Sequence, residues 1–393
     1  MNKTKSIRVE ALDIFRAITM FLMLFVNDIP GLKNIPHWLL HAATNEDMLG
    51  FSDTIFPAFL FAMGMAIPYA IHNRLKKGDT TIKIGRHIFW RTLALLIMGL
   101  FTVNIGHLDP IETGMTSSAF MLLMVLAFFL IWSVYPKTDD WKGNLFIAMK
   151  IVGIIILVYL FVIYEGKNGE SFPPRWWGIL GLIGWTYVLS AGIYLITREN
   201  LLYNSIALIA LIALSLLSAA GIFQGRPIIN QIPSQATLYA FGMAGVCAGV
   251  FMRKYANKEK PKHFFIVMTA IGVVSLIIAI ITHQFWIISK IQATPTWFFY
   301  CCAIFFPLFA FVFWLTDIKG KSSWFDIIKP AGTVTLTCYI IPYAWYSLQT
   351  IIGFNYPDWM MTGIAGIIKS LIFSLAIIGI AWLLMKAKIR LKI

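Results

Sequence analysis

Residues 146–164 read FIAMKIVGIIILVYLFVIY, an apolar run with a single charge, Lys150. A hydrocarbon layer about 30 Å thick is crossed by roughly 20 helical residues, each rising about 1.5 Å. The run is continuously apolar, without the inside-outside alternation of a membrane barrel strand. It therefore predicts a membrane helix. Runs of the same kind recur near 10–28, 51–72, 86–104, 117–134, 176–196, 202–223, 235–252, 263–282, 296–315, 331–351 and 363–385. The expected fold is all-α, a polytopic integral membrane bundle of about twelve helices forming one domain over 1–393. The aqueous segments between runs are too short for a separate soluble domain.

Composition agrees. With 59% hydrophobic residues, 13% charged residues and a mean hydropathy of +0.76, too little polar surface remains to solvate a globule. The formal charge of +14 would suggest nucleic acid in a soluble chain, so the location of the charges decides its meaning. Of 32 Lys and Arg, 23 fall at the two termini and in the even-numbered loops, whereas only Lys33, Lys167, Arg175, Arg226 and Lys290 fall in the odd-numbered ones. That asymmetry is the positive-inside rule. It predicts both termini, and the loops around Arg74 to Arg86 and Arg253 to Lys262, on the cytoplasmic side, with no nucleic-acid partner. No cleavable leader is expected, because the first run carries Asp13 and Arg16 and lacks a small-residue cleavage site.

Small residues mark packing. Gly178, Gly181, Gly184 and Gly242, Gly245, Gly249 recur at three- or four-residue spacing, which lets helices approach closely; a glycine-lined substrate path is the other use of such a series. The four cysteines, Cys247, Cys301, Cys302 and Cys338, lie inside apolar runs without metal-type spacing, so they read as small packing residues. No disulfide framework or metal site is expected.

Charge inside a span costs about 2.5 to 3.5 kcal/mol at a helix centre, so polar groups there direct attention to function. In the first run Asp13 and Arg16 share a face and can pair, while Asn27 and Asp28 lie about 18 Å away at the other end. An intrahelical ion pair and a polar helix terminus account for the same residues without any function. Beyond them, 29–51 holds His37, His41, Glu46 and Asp47, and the next helix opens on Ser52-Asp53. Ser-Asp is also an ordinary helix-capping pair, and loop histidines are often plain solvated surface. An imidazole among several carboxylates beside a membrane helix is nevertheless the composition of a base or nucleophile with groups to orient it. A mononuclear metal site is a weak rival, since no HExxH pattern is present. On the cytoplasmic side Arg74, Lys76, Lys77, Lys83, Arg86, His87 and Arg91 form a basic cluster. Topology alone explains such a cluster; capture of a phosphorylated ligand is the functional alternative. Walker and Rossmann glycine loops are absent, which excludes their nucleotide chemistry.

The run Arg8 to Asn27, RVEALDIFRAITMFLMLFVN, followed by HAATNEDMLGFSDTIFPAFLFAMG from His41 to Gly64, resembles the signature of the heparan-α-glucosaminide N-acetyltransferase family, with Ala17 where the family has glycine after Phe-Arg. Looser matches are WRTLALLIMGLFTVN from Trp90, RWWGILGLIGWTY from Arg175 and ISKIQATPTW from Ile288. The specific signature lies in 8–64. The resemblance implies a transmembrane acetyltransferase that moves acetyl from cytoplasmic acetyl-CoA to an amino sugar across the membrane. It implies His41 as the active-site histidine, with Asn27 and Asp53 matching the family's motif residues, and suggests a homodimer; Asp28, next to Asn27, joins them as a candidate catalytic partner. It further implies a ten-helix acyltransferase core plus two helices near 117–134 and 146–164, a feature of bacterial relatives and hence of a bacterial inner membrane. Acetyl-CoA would place its phosphates near Arg16, Arg86 or Arg91 and thread its pantetheine arm towards His41. Asp28 or Asp53 would fix the His41 tautomer, and Asn27 would donate to the developing oxyanion. The rival class is an amino-sugar transporter, which twelve spans also suit; the lack of a repeat between halves and of paired broken helices counts against it.

Overall fold

Backbone polar groups in lipid are satisfied only within a helix, so the apolar runs fix where helices form. The computed structural model describes residues 10–136, 138, 140–225, 232–255 and 261–393. Residues 8 and 9 of the signature, Arg226, and 256–260 of the basic loop lie outside the described residues. Among the described residues there are twelve helices of sixteen residues or more: α1 (Glu10–Asp28), α2 (Phe51–Lys76), α3 (Thr81–Asn104), α4 (Ser117–Trp132), α5 (Trp141–Ile163), α6 (Ile179–Thr197), α7 (Leu201–Ala219), α8 (Ala236–Tyr255), α9 (Pro261–His283), α10 (Pro295–Phe313), α12 (Thr335–Ile352) and α13 (Gly363–Lys386). A short α11 (Lys329–Thr333) precedes α12. Among the described residues there is no strand beyond isolated bridges.

The chain is a multi-pass helical membrane protein, with nine helices long and apolar enough to cross a bilayer among the described residues. The three remaining helices depart from that standard for visible reasons. Glu10, Asp13, Arg16 and Asp28 load α1 with charge, α4 has only sixteen residues, and α12 is interrupted by Tyr339, Tyr343, Tyr346 and Gln349. The expected run 331–351 is split at Val334, because Gly332 lies against the Asp13 carbonyl and brings α11 onto α1.

Glycine sets the inner layer. A Cβ on Gly64 would run into the Gly242 carbonyl, and one on Gly245 into the Phe61 carbonyl, so α2 and α8 cross with backbones in contact. Gly99 and Gly181 do the same for α3 and α6, where a Cβ on Gly99 would stand 2.5 Å from the Gly181 nitrogen. Both glycine series of the sequence thus mark helix crossings. Phe61 of α2 continues the core by meeting Phe15 of α1 at 6.2 Å and Phe306 of α10 at 5.1 Å, and Phe241 of α8 meets Trp297 of α10 at 5.0 Å. The most apolar stretch of α8 is 83% buried against 17% for α5 and for α7, which distinguishes inner helices from lipid-facing ones. The free cysteines pack as expected, three buried and Cys247 half-buried.

Loops of like parity meet. Asp47 in the α1–α2 connection accepts from the Ile288 amide of the α9–α10 connection, and Lys33 bridges to Thr362 before α13. At the other end Arg253 reaches Glu199, Arg198 reaches Thr81, and the tail residue Lys392 donates to the Trp132 carbonyl. The loops that are poor in Lys and Arg therefore share one end of the bundle and the rich ones the other.

Asp28 enters this framework as a strut. Its carboxylate accepts from Lys369 Nζ at 2.7 Å, Ser370 Oγ at 2.6 Å and Tyr346 hydroxyl at 2.8 Å, tying α1 to α13 and α12. Both ionic side chains are 7% exposed. Of the two aspartates expected to fix the His41 tautomer, Asp28 has its carboxylate committed to α12 and α13 and makes no hydrogen bond to the histidine. Removing one partner of a buried pair strands the other charge, at a cost of about 3 to 5 kcal/mol. Lys369→Met should therefore lower the thermal midpoint of the detergent-solubilised protein sharply, and adding Asp28→Asn should recover much of the loss. Equal destabilisation by the single and double variants would refute the strut.

Candidate active site

The connection between α1 and α2 folds back because the head of α2 captures it. No side chain caps α2; Gly50 occupies the N-cap position, where a Cβ would run into the Leu40 carbonyl. Ser52 donates to the Leu39 carbonyl at 2.5 Å. Asp53 accepts the Ala42 amide at 2.9 Å on Oδ2 and faces His41 Nδ1 at 2.6 Å on Oδ1. The Ser52-Asp53 pair thus reaches across to the loop instead of capping its own helix.

A nitrogen and a carboxylate oxygen at 2.6 Å require a proton between them, so Nδ1 donates to Asp53, which puts the lone pair of the uncharged tautomer on Nε2. Nε2 has no hydrogen-bond partner among the described residues. The Asp53 side chain is 2% exposed and that of His41 40%, which places the fixed carboxylate behind an accessible imidazole. Trp297 donates its indole N–H to the Asp53 carbonyl at 3.1 Å, pinning the first turn of α2 to α10.

His41 lines a cavity of about 240 Å³ together with Asn27, Pro30, Tyr343 and Tyr346. Asn27, at the end of α1, and His41 therefore open into one space. A second cavity of about 220 Å³ is lined by Arg16, Arg91, Met63 and Tyr187. Ile179 and Tyr339 belong to the walls of both, so the two lie end to end along the bundle. Arg91 stacks over Tyr187 with its guanidinium 4.6 Å from the ring centre, and its buried Nε has no partner among the described residues. Arg16 stands 3.9 Å from Asp13, a loose pairing that leaves most donors of its fork turned elsewhere.

Arg86 does not join them. It is exposed near the start of α3 and lines neither cavity. Five residues on a helix turn through about 140°, so Arg86 and Arg91 cannot share a face. Among the described residues no group of three His, Cys, Asp or Glu is disposed to hold a metal ion. His37 pairs with Glu46 at 2.5 Å in the exposed part of the loop, where the Ala43 amide and His37 hold the Glu46 carboxyl below its usual range.

Sequence reasoning missed Lys290. Its Nζ stands 3.2 Å from His41 Nδ1 and 3.6 Å from Asp53 Oδ1. A signal was present, because Lys290 is one of only five basic residues in the loops that the charge bias leaves poor in Lys and Arg. Lys369 carried a similar one, as a lysine inside an apolar run.

The chain is 31% identical to the mouse heparan-α-glucosaminide N-acetyltransferase over 159 residues, 37% of this chain and 23% of that protein. It is 34% identical to the human protein of that name over 107 residues, 27% of this chain and 15% of that protein. The matches thus span less than a quarter of those relatives. It is also 26% identical to the Na(+)/H(+) antiporter NhaA of Shewanella amazonensis over 200 residues, 49% of this chain and 47% of that protein. The model of DUF5009, a domain of unknown function, matches residues 8–243, a range that takes in His41, Asp53, Arg16 and Arg91. The chain belongs to the DUF5009 family, related to heparan-α-glucosaminide N-acetyltransferase-like proteins.

Proposed function

We propose that this chain is a membrane acetyltransferase that carries acetyl from cytoplasmic acetyl-CoA to an amino sugar on the opposite face of a bacterial inner membrane. The observation that carries the reading is the pair of end-to-end cavities, one lined by two arginines and the other by a His41 already oriented by Asp53. Two guanidiniums facing one enclosed space favour an anion, and Arg suits phosphate through its planar fork. The far cavity offers Nε2 of His41 and the amide of Asn27. Positive-inside asymmetry, with the basic loops gathered at one end, supports twelve spans with both termini cytoplasmic.

In this reading the thioester carbonyl lies between His41 and Asn27. Nε2 of His41 either attacks the carbonyl carbon, giving an acetyl-imidazolium and releasing CoA thiolate, or takes a proton from the acceptor amine as it attacks. Asp53 holds Nδ1–H and stabilises the positive imidazole in both routes. Asn27 donates to the carbonyl oxygen as its charge develops. The transferred acetyl group ends on the amine, the thiolate collects the remaining proton, and His41 returns to its neutral form. The likeness to N-acetyltransferases supports an acyl transfer with this chemistry.

A second reading rests on the likeness to NhaA proteins over about half of the chain. It makes the protein an amino-sugar or ion-coupled transporter, with the buried Asp28–Lys369 pair as its membrane charge. Proteoliposomes separate the two. With radiolabelled acetyl-CoA on one side and glucosamine on the other, wild type should form labelled N-acetyl sugar, and His41→Ala should reduce that rate at least about 100-fold while the protein stays folded. Sugar uptake, or a sodium-driven pH change, in the absence of acetyl-CoA would instead favour the transporter.

The arginine cavity makes its own forecast. Arg16→Gln and Arg91→Gln should each raise KM for acetyl-CoA about tenfold, the scale of one charge-assisted hydrogen bond, with a smaller change in kcat. Arg86→Gln should leave KM where it was. If Arg86 mattered and the other two did not, phosphate recognition would lie at the surface instead of in the bundle.

A further inference from the structure

The α9–α10 connection is fastened to the His41 loop by an unusual number of contacts for a short surface segment. His283 at the end of α9 meets the Asp47 carboxylate at 2.8 Å, and the Ile288 amide donates to the same carboxylate at 2.8 Å. Gln292 donates to the Thr44 carbonyl at 2.7 Å, and Ser289 to the same carbonyl at 3.3 Å. From beneath, Thr237 of α8 donates to the Ala293 carbonyl at 2.5 Å, where Ala293 is held at φ 50°. A left-handed alanine is strained, so tertiary contacts must hold this loop in shape. The Ile288 amide and His283 keep the Asp47 carboxyl below its usual range, so the clasp persists until pH falls through that lowered value.

The product of this fastening is the placement of one ammonium. Lys290 extends from the clasped loop to the back of the His41 ring, 3.2 Å from Nδ1 and 3.6 Å from Asp53 Oδ1, with its side chain 26% exposed. Since Nδ1 must already donate to Asp53, Lys290 cannot be a hydrogen-bond partner of the ring. Its proton points to Asp53, and one carboxylate serves two cations or near-cations.

We propose that Lys290 is a positioning residue for His41: its ammonium shares the Asp53 carboxylate with the imidazole and keeps His41 uncharged, with the Nε2 lone pair available, while the acyl group is transferred. The inference rests on the reading of His41 as the group that meets the thioester. A buried aspartate alone favours the imidazolium, which has no lone pair and is inert both as nucleophile and as base. A neighbouring ammonium opposes a second positive charge, so Lys290 removes that penalty without loosening the Nδ1–H bond that orients the ring. It also raises the energy of an acetyl-imidazolium, which makes that species a better donor to the amine.

The other groups around the imidazole do not supply this balance. Asp53 comes from α2, Cys301 of α10 lies behind Lys290, and Tyr339, Tyr343 and Tyr346 of α12 face it across the cavity. Glu46 is committed to His37 and the Ala43 amide. Burial pushes the Lys290 ammonium below the ordinary amine range and Asp53 pulls it back, which makes the carboxylate necessary to its charge.

The test needs no substrate. Diethylpyrocarbonate reacts with neutral imidazole, and peptide mass spectrometry reads its addition at His41 in the purified full chain. Lys290→Met should slow modification of His41 about fivefold at pH 6 and not at all at pH 8.5, because the unopposed Asp53 holds the proton on the ring longer. Lys290→Arg should follow wild type across the range. The same pH course for Lys290→Met and wild type would overturn the proposal, as would a deficit equal at every pH or shared by Lys290→Arg, which marks a structural role. Acetyl transfer by the same preparations should show the matching acid-side loss. A pH offset in modification with no acetyl transfer by wild type would sink the acetyltransferase reading and leave the coupling of Lys290 to His41 standing.

Discussion

The Asp53 carboxylate is the point on which the Lys- and Arg-poor end of the bundle depends. It is almost fully buried at the head of a helix, where an ionised group survives only if each lone pair is met. Its partners come from two segments: His41 and Ala42 in the preceding loop, and the distant Lys290 before α10. Trp297 of α10 takes the backbone carbonyl of the same residue. Remove the carboxylate and the His41 loop, the α9–α10 connection and the first turn of α2 each lose a common anchor. Folding demand and chemical use therefore coincide at one side chain.

Around that anchor the bundle is tight where glycine allows and open where it does not. Gly64 against Gly242, and Gly99 against Gly181, bring two helix pairs to backbone contact. Such crossings need small residues on both partners, so neighbouring helices with large side chains are held further apart. The arginine cavity opens between α1, α2, α3, α6 and α12 and the His41 cavity chiefly between α1 and α12, with Tyr339 and Ile179 at the junction. The polar tyrosines that lower the hydropathy of α12 are the same residues that line the His41 cavity.

How much of this was legible in the sequence depends on the distance over which each contact acts. Helix positions are dictated by lipid, residue by residue, and the runs from 10 to 385 coincide with helices to within a few positions, apart from the split at Val334. The His41–Asp53 pair spans twelve residues, close enough for a loop and a helix start to suggest it. The partners of Asp28 lie more than 300 residues away, and nothing local distinguishes its face of α1 from that of Asn27. Lys290 is 249 residues from His41; only its place on the sparsely basic side hinted at use. Arg86 was grouped with Arg91 because both are basic and near in sequence, yet helical geometry sends them to different faces.

Two aspartate–lysine pairs now stand within the same half of the bundle, and their surroundings assign them different work. Asp28 and Lys369 are both 7% exposed, and the carboxylate's remaining capacity is filled by Ser370 and Tyr346. With three side-chain donors on one buried carboxylate, the pair behaves as a fixed strut. Asp53 and Lys290 are 3.6 Å apart, and the His41 ring, its side chain 40% exposed, lies beside both. There the proton on the ring can leave or arrive without unpairing either charge, since the carboxylate and the ammonium continue to satisfy each other. That incomplete closure is the difference between the pairs: the carboxylate and the ammonium balance each other at Nδ1, and the rest of the imidazole stays open to the cavity.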